Sequence, residues 1–184
     1  MAVTGWTAQS ARAWNGTEAT TITPEQSGTT GFLTRDVNDG IGDFTFIATI
    51  SQLTDRDINP GWLFGFQSTT QYYFLRRRTG YTSYLYLNKD SLSASGNLAS
   101  NTVGGGVGSS TFSIKIEKSG SNIQVYLDEA AGTNWGTAVF NITDASYSTG
   151  KIGFAVPITY ENGGTFTFGS ITAPSTARRR INIT

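Results

Sequence analysis

Phe112-Ser113-Ile114-Lys115-Ile116-Glu117-Lys118-Ser119-Gly120-Ser121-Asn122-Ile123-Gln124-Val125-Tyr126-Leu127-Asp128 is the stretch whose reading decides the fold. Phe112, Ile114 and Ile116 alternate with Ser113, Lys115 and Glu117, and Ile123, Val125 and Leu127 alternate with Gln124 and Tyr126. Successive side chains of a strand point to opposite faces, so each run is apolar on one face and polar on the other. The segment Lys118 to Asn122, with Gly120 at its centre, is a turn. The stretch therefore predicts an antiparallel hairpin of strands at about 111–118 and 122–128 with one buried face.

The same period recurs outward in both directions. Phe44, Phe46, Ala48 and Ile50 make one inward row, and Trp62, Phe64 and Phe66 another, with Leu63, Gly65 and Gln67 opposite. Thr79-Gly80 predicts a tight hairpin between Tyr-rich strands at about 71–78 and 81–88. Ile152, Phe154, Val156 and Ile158 repeat the pattern, and Phe166, Phe168 and Ile171 end it, with a bulge expected at Gly169. No stretch shows a helical period. Ten or more short strands joined by Gly- and Asn-rich turns predict an all-β, antiparallel, two-sheet sandwich. Residues 15–30 read as a long loop with a short edge strand. Residues 97–110, with three consecutive glycines, read as a loop; no following Lys-Ser/Thr makes that run a phosphate cradle.

Composition excludes several function classes. The 184 residues contain no Cys and no His, which removes disulfides, thiolate metal sites and the commonest general base. Charged residues are 14% of the chain, against roughly 25% in ordinary globular proteins, and the formal net charge is zero. Nucleic acid is thus not an expected partner. No apolar run approaches a membrane span, and Met1 to Trp6 has neither a basic nor an apolar leader region. Synthesis in a cytoplasm without a signal peptide is the expectation that follows. One domain over 1–173 is expected, with 174–184 as a C-terminal arm. Arg178, Arg179 and Arg180, followed by Ile181 and Ile183 in alternation, suit pairing with a neighbouring subunit's sheet edge.

Gly42-Asp43-Phe44, Gly61-Trp62-Leu63-Phe64-Gly65-Phe66, Tyr72-Tyr73-Phe74-Leu75-Arg76, Ile123-Gln124-Val125-Tyr126-Leu127-Asp128 and Gly150-Lys151-Ile152-Gly153-Phe154 follow one another in a telling order. Across about residues 6–172 this order resembles the concanavalin A-like lectin/glucanase superfamily, in particular its laminin G-like binding domains. The resemblance implies a jelly-roll arrangement of two curved sheets. It does not fix one function, because such folds host many. Relatives include glycan-binding modules, glycoside hydrolases, polysaccharide lyases, adhesive domains and structural modules of virus particles.

Retaining glucanases of this superfamily place their acids as Glu-x-Asp-x-x-Glu on one strand, and this chain has no such string. Lyases of the fold use Tyr with His, Arg or Lys, and here only a Tyr-plus-Arg site at Arg76 or Arg78 remains. No catalytic residue is therefore expected. Relatives often hold Ca²⁺ with loop carboxylates, which makes Asp36, Asp39 and Asp43 the candidate ligands, with Asp55 and Asp57 as a second acidic turn. The competing reading of these residues is ordinary turn chemistry. Tyr72, Phe74, Tyr84 and Tyr86, with Tyr81 near the turn, suggest an outer aromatic platform on which sugar rings stack, Arg76 and Arg78 supplying hydrogen bonds. The alternative is cross-strand pairing that only stabilises the sheet. Arg76 and Arg78 fall on one strand face and Arg77 on the other, as an ordinary solvated strand end.

Three functions are carried forward. The first is a non-catalytic module that binds carbohydrate. The second, compatible with it, is decoration of a larger assembly such as a bacteriophage virion, with neighbouring subunits or further copies of the chain as partners. The third is a polysaccharide hydrolase or lyase. A stand-alone carbohydrate-binding module of a polysaccharide-degrading system is the alternative form of the first.

Overall fold

A computed structural model of the chain describes residues 3–17, 22–25, 29–35, 42–51, 61–78, 83–103, 111–157 and 165–172. Among them the strands are β1 (Trp6–Ala8), β2 (Trp14–Gly16), β3 (Ile22–Pro24), β4 (Gly31–Arg35), β5 (Phe44–Ser51), β6 (Gly61–Ser68), β7 (Gln71–Arg78), β8 (Ser83–Lys89), β9 (Asn97–Val103), β10 (Phe112–Ser119), β11 (Asn122–Asp128), β12 (Phe140–Thr143), β13 (Lys151–Val156) and β14 (Thr165–Thr172). One 3₁₀ turn, Ala94–Gly96, precedes β9. The strands form two seven-stranded sheets, ordered β1-β4-β13-β6-β7-β8-β9 and β12-β11-β10-β5-β14-β3-β2, antiparallel at every pairing among the described residues.

The deciding hairpin forms as read. Ile114 pairs with Leu127 and Ile116 with Val125, and β5 joins on the other side with Ile114 opposite Ala48. These residues face the first sheet. There a row running Leu33, Phe154, Trp62, Leu75 and Leu87 crosses five strands in register. All five are buried in one core with Phe46, Ile50, Phe112, Ile114 and Phe166. Burying a side chain of this size stabilises the fold by ~1.5–3 kcal/mol, so these two facing layers supply the main driving force for the sandwich.

Two departures from strict alternation shape the first sheet. In β6, Trp62 and Phe64 point into the core as expected, but Phe66 does not. Gly65 has φ +58°, and the register with β7 shifts between Phe64 and Ser68. The bulge turns Phe66 to the outer face, where it packs with Phe32 and Tyr72. The bulge expected in β14 is present, with the register to β5 shifting between Phe168 and Ser170.

Three other expectations are corrected. Residues 97–103 are not loop but strand β9, whose edge position removes any need for an alternating apolar face. Within 15–30 two short strands, β2 and β3, pair with each other, and β3 docks on β14. Arg76 and Arg77 are not a solvated strand end. Arg77 is 1% exposed, lies over the Phe112 ring at 4.5 Å and forms an ion pair with Glu129 at 2.8 Å. Its guanidinium thus closes one end of the core with its apolar plane on a ring and its charge on a carboxylate. The connection at Thr79-Gly80 lies outside the described residues.

Candidate functional site

The outer face of the first sheet follows from its register. Paired residues of antiparallel strands share a face, so one outer row runs Thr34, Gly153, Leu63, Phe74 and Asn88, and the next Phe32, Ala155, Gly61, Arg76, Tyr86 and Ser100. The two ends of this face differ. Around β4, β13, β6 and the first half of β7, Phe32, Leu63, Phe66, Tyr72, Phe74 and Ala155 form a second apolar cluster. Leu92, from the segment after β8, packs against it, and Asn88 Nδ2 ties that segment down by donating to the carbonyl of Ser93 at 2.8 Å.

This cluster corrects part of the expected platform. Tyr72 is 3% exposed and Phe74 fully buried, so neither presents a ring face to solvent. Tyr72 packs between Phe32 and Phe66, with ring centroids 5.4 and 6.3 Å away. The Phe74 ring lies over Gly61, where a Cβ would meet it at 2.7 Å and the Leu75 carbonyl at 2.1 Å.

Among the described residues, the other expected platform tyrosines keep partial exposure. Tyr84 and Tyr86 are half-buried side chains on the outer face of β8, their ring centroids 5.8 Å apart. Arg76 lies opposite Tyr86 and Arg78 opposite Tyr84. The Arg76 guanidinium covers the Tyr86 ring at 4.6 Å, while Arg78 is exposed. Burial disfavours the charge on Arg76 and lowers its pKa, as does neighbouring Arg78, with Tyr86 acting in the opposite sense. The structure thus brings Arg76, Arg78, Tyr84 and Tyr86 together and separates them from Tyr72 and Phe74.

A second polar constellation locks the end of the sandwich beside this face. The Tyr73 hydroxyl donates to Asp144 Oδ1 at 2.5 Å and accepts from the Tyr147 amide at 3.2 Å. Lys89 Nζ donates to Asp144 Oδ2 at 3.3 Å and to Ser146 Oγ at 3.0 Å, and the Tyr147 hydroxyl donates to Asp90. Burial and the bond to Asp144 push the Tyr73 hydroxyl up to about 12. Burial alone would raise the Asp144 carboxyl, but the donors from Tyr73, Ser146 and Lys89 outweigh it and hold the group at about 2. Each charged group here has a hydrogen-bonding partner, as a structural clasp requires.

Of the candidate calcium ligands, Asp36 and Asp39 lie outside the described residues, as do Asp55 and Asp57. Asp43 accepts from the Gly120 amide at 2.7 Å and from Ser119 Oγ at 3.4 Å, capping the turn of the deciding hairpin. Beside it the buried Lys118 ammonium donates to the carbonyls of Gly42, Gly120 and Ser148 at 3.2, 2.8 and 3.0 Å. No group of three or more acidic side chains that could hold a metal occurs among the described residues. Arg178, Arg179, Arg180, Ile181, Ile183 and Tyr81 also lie outside them. On the second sheet a shallow pocket of about 320 Å³ opens beside this turn, lined in part by Phe44, Thr45, Glu117, Lys118 and Gln124. Lys118 is already fully engaged there.

No family model matches the sequence, and no curated protein matches it. Solved structures do resemble it. The carbohydrate-binding module CBM66 from Bacillus subtilis aligns over 92% of this chain and 96% of its own, with TM-score 0.66 and 18% identity. The VIP36 exoplasmic/lumenal domain with Ca²⁺ and Man3GlcNAc bound aligns over 95% and 92%, with TM-score 0.61 and 12% identity. A xylan β-1,4-xylosidase from Bacillus halodurans C-125 aligns over 83% of this chain but only 32% of that one, with TM-score 0.62 and 10% identity. The chain has the concanavalin A-like jelly-roll β-sandwich fold.

Proposed function

We propose that this protein is a non-catalytic carbohydrate-binding module that takes its ligand on the outer face of β7 and β8. The observation that carries the reading is the grouping of Tyr84, Tyr86, Arg76 and Arg78 on one sheet face, at the margin of an apolar layer. Aromatic faces offer sugar rings dispersion and C–H contacts, and guanidinium groups offer donors to ring oxygens and hydroxyls. The sandwich supports the same reading, since a carbohydrate-binding module and a mannose-glycan-bound domain share its fold at near-complete coverage. The test is a glycan array followed by calorimetry with Tyr84→Ala and Tyr86→Ala. Each variant is expected to keep its melting temperature within a few degrees and to bind about 10- to 100-fold more weakly, the equivalent of ~1–3 kcal/mol, with base–aromatic stacking as the analogue. Undiminished binding by both variants removes the site, and an array without any ligand removes the function.

A further inference from the structure

Arg76 is 7% exposed, and burying a guanidinium that has no counter-charge is unfavourable. Buried arginines are normally paired with carboxylates, as Arg77 is with Glu129. Arg76 has no ion pair and no hydrogen bond among the described residues. Among the described residues its Nε is buried without a hydrogen-bond partner, and its guanidinium lies over the face of Tyr86. Neighbouring Arg78, of like charge, repels it. On β6 the position opposite is Gly61, which offers no side chain at all. The face thus holds a buried cationic group that lacks a counter-charge among the described residues, and two tyrosine rings.

We propose that the glycan bound here is acidic, its carboxylate or sulfate group docking on Arg76 with Arg78 at the rim, beside the rings of Tyr84 and Tyr86. This rests on the carbohydrate reading and adds the substrate class to it. A guanidinium presents paired N–H donors in a plane, and that fork matches the two oxygens of a uronate carboxylate or of a sulfate. A neutral sugar would leave the Arg76 charge uncompensated. An acidic one neutralises it while its ring lies against tyrosine.

The experiment titrates the full chain with oligogalacturonate, with the same oligomer methyl-esterified, with chondroitin sulfate, and with chemically desulfated chondroitin, alongside a neutral glycan array. An acid is expected to bind at least tenfold tighter than its uncharged or less charged counterpart. The advantage should shrink as salt is raised and disappear in Arg76→Gln, with partial recovery in Arg76→Lys. A preference confined to oligogalacturonate over its ester assigns the group as a carboxylate, and one confined to chondroitin sulfate over its desulfated form assigns it as a sulfate. The wild-type acid-against-ester comparison needs no variant, so the proposal stays testable if Arg76→Gln does not fold. Equal binding of acid and ester together with equal binding of the two chondroitins overturns it. So does an acid preference that folded Arg76→Gln retains. Binding of neutral glycans that is weakened by Tyr86→Ala, without any acid preference, leaves the carbohydrate reading standing and removes only this inference. Absence of any glycan ligand removes both.

Discussion

On the outer face of the second sheet, Thr45, Lys115, Glu117, Gln124 and Tyr126 are partly exposed polar or aromatic side chains. On the outer face of the first, Phe32, Leu63, Phe74 and Ala155 are buried. Both sheets bury their inner faces in one shared core. The second sheet follows the rule of a one-sided antiparallel sheet and finishes its exterior with local pairings. Lys115 lies 3.9 Å from the Tyr126 ring centre and 2.9 Å from Glu117, and Asn122 donates to Asn141 at 2.8 Å. The first sheet is largely apolar on both faces over β4, β13, β6 and the first half of β7, and toward β8 and β9 its outer face returns to polar and partly exposed groups. A sheet covered on both sides is a stiff support, and a site on its margin inherits that stiffness.

The largest expected effect tests whether the outer layer of the first sheet is a true second core. Phe74→Ala should destabilise the fold by about 3–5 kcal/mol, as much as Phe112→Ala in the main core, measured by urea denaturation. A cost below about 1 kcal/mol would make the outer cluster a loose covering and collapse the distinction between the two sheets.

The next concerns the clasp that joins the first sheet to the segment after β12. Asp144 is held at about 2, below the ~3.9 of an unfolded aspartate. Its stabilisation is therefore complete above about pH 5 and is lost as pH falls toward 2. Tyr73, raised to about 12 from an unfolded value of ~10, contributes fully below pH 10 and loses its contribution as pH rises through 12. Asp144→Asn should lower stability at pH 7 by about 1–2 kcal/mol, discounted for partial exposure, and flatten the acid limb of a stability–pH curve. An unchanged acid limb would show that the clasp contributes nothing.

The smallest effect sharpens the contrast from the other side. Thr167→Ala on the outer face of the second sheet should change stability by no more than about 0.5 kcal/mol in the same assay. A loss comparable to Phe74→Ala would mean that this face, too, is covered.

The sequence made the second sheet legible because each of its central strands has one wet face. Ile114 and Ile116 against Lys115 and Glu117 is a pattern with a single solution. The first sheet was only half legible for the opposite reason. In Tyr72-Tyr73-Phe74-Leu75 both faces are apolar, so period 2 cannot say which side meets the core and which meets water, and Tyr72 and Phe74 read equally well as platform or packing. The turning of Phe66 had a visible signal, a lone glycine at position 65 inside a strand. Strand β9 had none, because Asn97-Leu98-Ala99-Ser100-Asn101 owes its conformation to pairing with β8 rather than to its own pattern. Arg76 and Arg77 read as surface because charge suggests water. What buries them, a facing ring for each, comes from distant or cross-strand residues that no local spacing reveals.

Lys118 has a consequence of another kind. Its ammonium joins the lead-in to β5, the turn of the β10–β11 hairpin and the segment before β13, through the carbonyls of Gly42, Gly120 and Ser148. Three backbone oxygens converging on one cation is the way a hard metal ion gathers loops. Here the cation is part of the polypeptide. It cannot be chelated, exchanged or diluted away, and its occupancy does not depend on the ionic composition of the surroundings. This corner of the sandwich is tied together by a cation the chain itself carries.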